Sequence, residues 1–420
     1  MRLHPAVVGH TENVLREILR FAGPADVTLS RYFRENPRLG GRERGVIAES
    51  VYCFLRKKTM LTAFSESGFG PAMRRLALLS IAEITGVEAI AGLEAGEAEW
   101  LKRVGLIDRQ HLPLGQRTSM PSWLWDKLTA VHGEEGAFAL TEALNTNAPL
   151  DLRVNLLKAN RDSAKAELSE AGIETEETPF SATGLRVYRK PALQNTTIFK
   201  NGGIEVQDEG SQLLAQLLGA RRGEMVIDFC AGAGGKTLAL GAIMRNTGRL
   251  YAMDVSEKRL SKLKPRLARS GLSNVHPMLI AHERDAKIKR MAGKADRVLI
   301  DAPCSGLGTL RRNPDMKWRQ QPEDIAELNQ KQAAILDSAS RLVKAGGRLV
   351  YATCSILEDE NEAIVQGFLA QHPEFELIPA SQVLQEQRVE LEMGDYLKLY
   401  PHLHKTDGFF AAILERKKAA

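Results

Sequence analysis

Cysteine is scarce in this chain: Cys53, Cys230, Cys304 and Cys354 are its only four among 420 residues. They are too few and too scattered for a disulfide framework or a zinc ribbon, which fits a reducing, cytosolic compartment and no metal centre. Long apolar runs are missing as well, since no uninterrupted stretch reaches the roughly 18 residues a membrane span requires. The opening residues MRLHPAVVGHTENVLREILRFAG lack an apolar core of signal-peptide length. A soluble cytoplasmic protein is expected, without membrane association. An excess of one charge is absent too: 57 Lys and Arg against 52 Asp and Glu leave a formal net charge of +5, which permits a nucleic-acid partner without requiring one. There is no internal repeat and no low-complexity tract.

What is present exceeds one hydrophobic core, so two or three domains are expected. Over residues 1–147 apolar side chains recur at helical spacing, as in Val14, Ile18 and Leu19 and again in Val46, Ile47, Val51, Phe54 and Leu55. Gly23-Pro24, Gly68 to Pro71 and Pro113 punctuate this helical portion. Over 148–205 the pattern changes to a small α+β module. DLRVN at 151–155 and LRVYR at 185–189 alternate as strands do, and 162–171 reads as a helix. From 206 to 420, short apolar runs alternate with helices: MVIDF, 236–245, LYAMD, 256–270, RVLID, 324–343, GRLVYATC and 358–371. That order predicts an α/β domain with a mainly parallel, doubly wound sheet, and GFFAAILER at 408–416 adds a late antiparallel strand.

The first strand of this domain runs into Asp228-Phe229-Cys230-Ala231-Gly232-Ala233-Gly234-Gly235-Lys236-Thr237 and then a helix. Glycines there let backbone amides approach a ligand, and the helix start adds free N–H donors and partial positive charge. The next strand ends in Asp254, at the distance where α/β domains place a carboxylate for a ribose hydroxyl pair. A glycine turn alone serves purely structural ends just as often; turn and acid together point to a nucleoside-type cofactor. The turn reads G-A-G-G, not the G-x-G-x-x-G of pyrophosphate binding, so S-adenosylmethionine fits better than a dinucleotide.

Two later strands end in cysteine turns, Asp301-Ala302-Pro303-Cys304-Ser305-Gly306 and Thr353-Cys354-Ser355. The carboxyl edge of an open α/β sheet is where ligands bind, so Gly232, Asp254, Asp301, Cys304 and Cys354 should converge on one crevice. A free cysteine is commonly a small buried hydrophobe, and Cys53 and Cys230 suit that reading; the polar, strand-end settings of Cys304 and Cys354 do not. Methyl transfer to carbon 5 of cytosine needs such thiols. That carbon is a poor nucleophile until a thiolate adds at carbon 6 and breaks the ring's aromaticity. A second thiol or a carboxylate can then help remove the carbon 5 proton, and Asp301 can hydrogen-bond the base.

At these residues the chain resembles the Nop/Sun (RsmB-like) family of S-adenosylmethionine-dependent RNA cytosine-5 methyltransferases. The resemblance rests on DFCAGAGGKT, the strand ending in Asp254 with Arg259, DAPCSGLGTLRRNPDMKW at 301–318, YATCSILEDENE at 351–362 and VQDEGSQL at 206–213. It implies a Rossmann-like class I methyltransferase domain with Cys354 as nucleophile, Cys304 assisting release and Asp301 at the base. It also implies cofactor contacts from Cys230, Ala231, Gly232, Ala233, Gly234, Gly235 and Lys236, and from Asp254, Arg259, Asp285 and Asp301. Asp285, in HERDAKIK, matches loosely, and Gly232-Ala233 stand where the family has Ala-Pro. By the same resemblance, 1–147 is a NusB-like RNA-binding domain and 148–205 an RNA-binding extension.

The implied partner is RNA: ribosomal RNA first, with 16S rRNA the leading target, and tRNA as the alternative, served by a monomer. The target base must be unpaired or extruded before a thiolate reaches it. Arg311, Arg312, Lys317 and Trp318 stand where they would hold phosphate and stack a base, although core packing explains Trp318 equally well. The basic run Lys258, Arg259, Lys262, Lys264, Arg266 and Arg269, like Arg284, Lys287, Lys289 and Arg290, reads first as solvated helix face. A non-catalytic RNA-binding assembly factor on the same fold is the rival reading. Loss of either cysteine would favour it, and both are present.

Overall fold

The computed structural model describes residues 2–188 and 191–418. The chain forms two compact units, Met1–Asn147 with Thr309–Pro322, and Ala148–Gly308 with Glu323–Ala420. Arg189, the last residue of the expected strand 185–189, lies outside the described residues.

The first unit is helical. Its helices include Ala6–Ile18, Ala25–Glu35, Gly41–Arg56, Lys58–Ser65 and Ala72–Thr85. Pro24 and Pro71 immediately precede two of them, where a missing N–H costs nothing. Side chains three and four residues apart supply one shared core, with Val14 and Ile18 meeting Ile47, Val51, Phe54, Leu78 and Ile81. None of the described helices is long and apolar enough to cross a membrane.

Thr309–Pro322 belongs to this helical unit, and that corrects the expected role of its basic and aromatic residues. Lys317 is fully buried and donates to Arg56 O at 3.0 Å and Asn145 Oδ1 at 2.7 Å. Trp318 donates its indole N–H to Leu55 O at 2.7 Å and packs on the helical core. Arg311 is buried, and its carbonyl accepts from Arg56. Lys317, Trp318 and Arg311 therefore anchor this segment to the helices instead of presenting phosphate contacts or a stacking face.

The second unit holds two sheets. β1 (Leu150–Val154), β2 (Glu176–Glu177), β3 (Gly184–Val187) and β4 (Ile204–Val206) form a small antiparallel sheet in the order β2-β3-β1-β4, packed with the helix Arg161–Glu170. The large sheet comprises β5 (Met225–Asp228), β6 (Arg249–Asp254), β7 (Val275–Leu279), β8 (Ala295–Asp301), β9 (Val343–Thr353), β10 (Phe375–Ile378), β11 (Leu397–Leu399) and β12 (Phe409–Arg416). Its order is β10-β12-β9-β8-β5-β6-β7, with β11 also on β12. The strands from β9 to β7 run parallel, and β12 is antiparallel to β9, pairing Phe410 with Thr353.

Alternation explains why the central strands read as unbroken apolar runs. Val298 and Ile300 of β8, Leu349 and Tyr351 of β9, and Phe410 and Ala412 of β12 enter one core. The residues between them, Leu299, Val350 and Ala411, enter another. Both faces are covered, so both alternating sets must be apolar.

The motif VQDEGSQL docks the small sheet onto the large one. Asp151 of β1 takes a bidentate pair from buried Arg186 of β3, at 2.7 and 2.8 Å, and its Oδ2 also accepts from Glu209 N at 3.1 Å. Glu209 in turn accepts from Phe180 N and Ser181 N at 2.6 and 2.7 Å. Removing one partner strands a buried charge, so Asp151→Ala should destabilise this unit by about 3 kcal/mol. Chemical denaturation followed by fluorescence checks this, and a midpoint equal to wild type would make the pair dispensable.

Candidate active site

The parallel register sets the acids side by side. Asp228 ends β5 opposite Ala252 of β6 and Leu299 of β8, and Asp301 ends β8 opposite Ala352 of β9. Beyond β5 the chain turns through Gly232 (φ +56°) and Gly234 (φ +85°) into the helix Gly235–Ile243. The two glycines serve different ends. A Cβ on Gly234 would lie 2.1 Å from Leu263 Cδ1, so packing demands glycine there, whereas one on Gly232 would meet nothing nearer than Arg259 at 4.0 Å. Gly232 thus offers bare backbone next to open space.

Asp254 braces that turn. Its buried carboxylate accepts from Gly232 N at 2.8 Å and Ser256 N at 2.7 Å, with Arg259 Nη2 at 3.3 Å. Gly232, Asp254 and Arg259 are therefore brought together. Arg266 adds a support that the sequence did not reveal, donating to Ala233 O at 2.6 Å while pairing with Glu205 at 2.9 Å. Arg269 also pairs with Glu205, so two members of the basic run are structural. Asp285 is placed differently. It caps the short helix Ala286–Lys289, accepting from Ala281 N and Lys287 N at 2.8 Å each, and these bonds hold its carboxyl below the usual range.

Asp228 is buried, and desolvation pushes its carboxyl up to about 7 despite the 2.6 Å hydrogen bond from Thr237 Oγ1. Its Oδ1 has no hydrogen-bond partner among the described residues. An unpartnered buried acceptor at the head of the turn, bare backbone at Gly232 and an anchored Asp254 are what a cationic nucleoside needs. Cys230, in the same turn, is raised by burial, which suits an inert thiol.

Lys236 reaches from the first turn of the helix to Asp301, Nζ to Oδ2 2.8 Å. Burial opposes its charge, but the Asp301 carboxylate overrides this and the net shift is upward, with a smaller contribution from Cys354. Cys304 and Cys354, 50 residues apart, place their sulfurs 3.4 Å from each other. Both are partly exposed. The hydrogen bond with Cys354 and burial raise the Cys304 thiol well above its ordinary value, which favours its protonated form. Lys236, Asp301, Cys304 and Cys354 thus lie together at one edge of the sheet.

The chain is similar to known proteins. The family described as 16S rRNA methyltransferase RsmB/F matches residues 215–415, and a second family, the RsmF/B-like ferredoxin-like domain, matches 120–194. A Synechocystis protein named "Probable ribosomal RNA small subunit methyltransferase B" is 31% identical over 96% of this chain and 98% of its own length. The chain belongs to the RsmB/F family. Two solved structures agree with this RsmB/F membership. PH0851 has a TM-score of 0.78 at 26% identity, covering 99% of this chain and 100% of its own. A methyltransferase homolog protein from Pyrococcus horikoshii has a TM-score of 0.62 at 29% identity, covering 72% of this chain and 97% of its own. The large sheet is therefore a Rossmann-like methyltransferase domain, and RsmB/F membership makes the chain a methyltransferase of the ribosomal RNA class.

Proposed function

We propose that this protein methylates carbon 5 of a cytosine in 16S ribosomal RNA, using S-adenosylmethionine and a covalent bond between Cys354 and carbon 6. The observation that carries the reading is the pair of strand-end thiols, 3.4 Å apart, with the Cys304 thiol raised well above its ordinary value. A single thiol would serve many chemistries. Two side by side at adjacent strand ends match an addition followed by an elimination.

The turn from Cys230 to Lys236, with Asp254 and Arg259, would hold the cofactor, which when bound supplies a methyl group on a sulfonium. Asp285 would join them from its neighbouring loop. Cys354 adds to carbon 6 as the thiolate, which makes carbon 5 nucleophilic. Asp301, oriented by its 2.8 Å hydrogen bond from Lys236, accepts a hydrogen bond from the base. Once the Cys354 electron pair is in the carbon–sulfur bond, the main influence that kept the Cys304 proton in place is gone. Cys304 can then release its own proton to water and, as the thiolate, take the carbon 5 proton as Cys354 leaves. The helical unit and the small sheet would each bind RNA, and the reaction belongs in the cytoplasm.

Two measurements test this reading. Purified protein, labelled S-adenosylmethionine and 16S rRNA should yield 5-methylcytidine on nucleoside digestion; label in another nucleoside would refute the cytosine assignment. Asp254→Asn should weaken S-adenosylmethionine binding tenfold to about a hundredfold, the worth of a charged hydrogen-bond acceptor. Calorimetric titration checks this, and an unchanged Kd would remove Asp254 from the cofactor site.

A further inference from the structure

The motif YATCSILEDENE runs on past Cys354 to a carboxylate that the chemistry above does not use. Glu360 is fully buried. Its Oε1 accepts from Ser305 N at 2.8 Å and Gln332 Nε2 at 3.0 Å; its Oε2 accepts from Ser305 Oγ at 2.5 Å and from Ser355 Oγ. Ser305 directly follows Cys304, and Ser355 directly follows Cys354. Gln332 also donates to Pro303 O at 3.0 Å, and Tyr351 donates its hydroxyl to the Glu360 carbonyl at 2.7 Å. One carboxylate therefore ties together the turns that carry both sulfurs.

Burying a carboxylate on neutral donors is costly unless every donor is in place. The same cost makes the arrangement stiff, because moving either turn would break bonds to a buried charge. This tie adds to the backbone bonds from Ala302 N to Ala352 O at 2.8 Å and from Gly308 N to Cys354 O at 2.9 Å that join the same two turns, whose thiols lie 3.4 Å apart.

We propose that Glu360 is a positioning residue that holds the Cys304 and Cys354 turns in register and so fixes the spacing of the two thiols. The inference rests on the cysteine chemistry proposed above. It is supported by the Glu360 charge, which adds to what keeps Cys304 protonated, after the Cys354 hydrogen bond and burial.

The test uses two readouts. Phenylarsine oxide bridges two thiols only when they sit side by side, forming two As–S bonds and releasing water, and needs no RNA. Wild-type protein should bind one equivalent through Cys304 and Cys354, and Cys304→Ala should bind none. Glu360→Gln should lower arsenical affinity about tenfold and kcat about a hundredfold, the penalty of misplaced reacting groups. KM and the Kd for S-adenosylmethionine should stay within twofold. Ser355→Ala, which leaves the carboxylate intact, should shift both readouts in the same direction. Wild-type arsenical affinity and kcat in Glu360→Gln would overturn the proposal. So would a loss accompanied by collapse of cofactor binding in both variants, since Glu360 would then merely hold the fold. Failure of the arsenical readout counts against Glu360 alone, whereas absence of any RNA adduct in wild type counts against the cysteine mechanism alone.

Discussion

Cys354→Ala is expected to abolish methylation, with a loss of at least about 10⁴-fold in kcat, and to leave no protein–RNA adduct. Without a thiol at the end of β9, nothing can add to carbon 6, and the aromatic ring keeps carbon 5 unreactive. Cys304, on the separate turn that follows β8, keeps its proposed role in release and does not take the place of the missing nucleophile. Cofactor binding should survive, since the turn from Cys230 to Lys236 and the Asp254 brace are untouched. Methyl transfer and denaturing electrophoresis after incubation with RNA check both parts.

Cys304→Ala should fail in the opposite way. The nucleophile remains, so the adduct forms and the methyl group is transferred, but removal of the carbon 5 proton has lost its base. The expected result is a covalent protein–RNA complex that survives denaturing electrophoresis and accumulates while turnover stops. An adduct with Cys354→Ala and none with Cys304→Ala would reverse the roles of the two sulfurs. The pairing of these variants is informative because the two thiols are neighbours of similar size. A purely structural role for the cysteine turns would make the two substitutions behave alike.

Much of the methyltransferase domain was legible in the sequence because its central strands are covered on both faces. MVIDF, RVLID and GRLVYATC read as strands, and the glycine turn and acid ends followed from them. Here β7, β10 and β11 were not legible, and β9 was legible only from Gly347 onward. β7, VHPML, carries Pro277 and lies at the edge of the sheet, paired only with β6. Proline tolerates an edge but weakens the strand signal, and half-exposed residues blur the alternation. β9 begins at Val343, where helical spacing predicted the helix to continue, because the helix ends at Ser340 with little sequence punctuation.

The site was legible where chemistry is carried by rare residue types and illegible where it is carried by common ones. Cys304, Cys354 and Asp301 announce themselves by position at strand ends. Glu360 sits in the acidic run EDENE at the start of the expected helix 358–371, where nothing in the sequence signals burial, and only the fold shows its carboxylate turned inward between Ser305 and Ser355. Arg266 is hidden in the same way within a basic helix. For Lys317 the error runs in the other direction: a residue type that suits RNA was assigned to a surface, but the fold buries it against Arg56 O and Asn145. Trp318 takes the core packing that was its equal alternative.

The most direct test of cytosine-5 methylation is bisulfite sequencing of 16S rRNA from cells lacking the gene, complemented with either wild type or Cys354→Ala. One cytosine should lose its protection in the deletion, regain it with wild type and stay unprotected with Cys354→Ala. Protection at every 16S cytosine, unchanged by the deletion, would contradict the proposed reaction on this RNA.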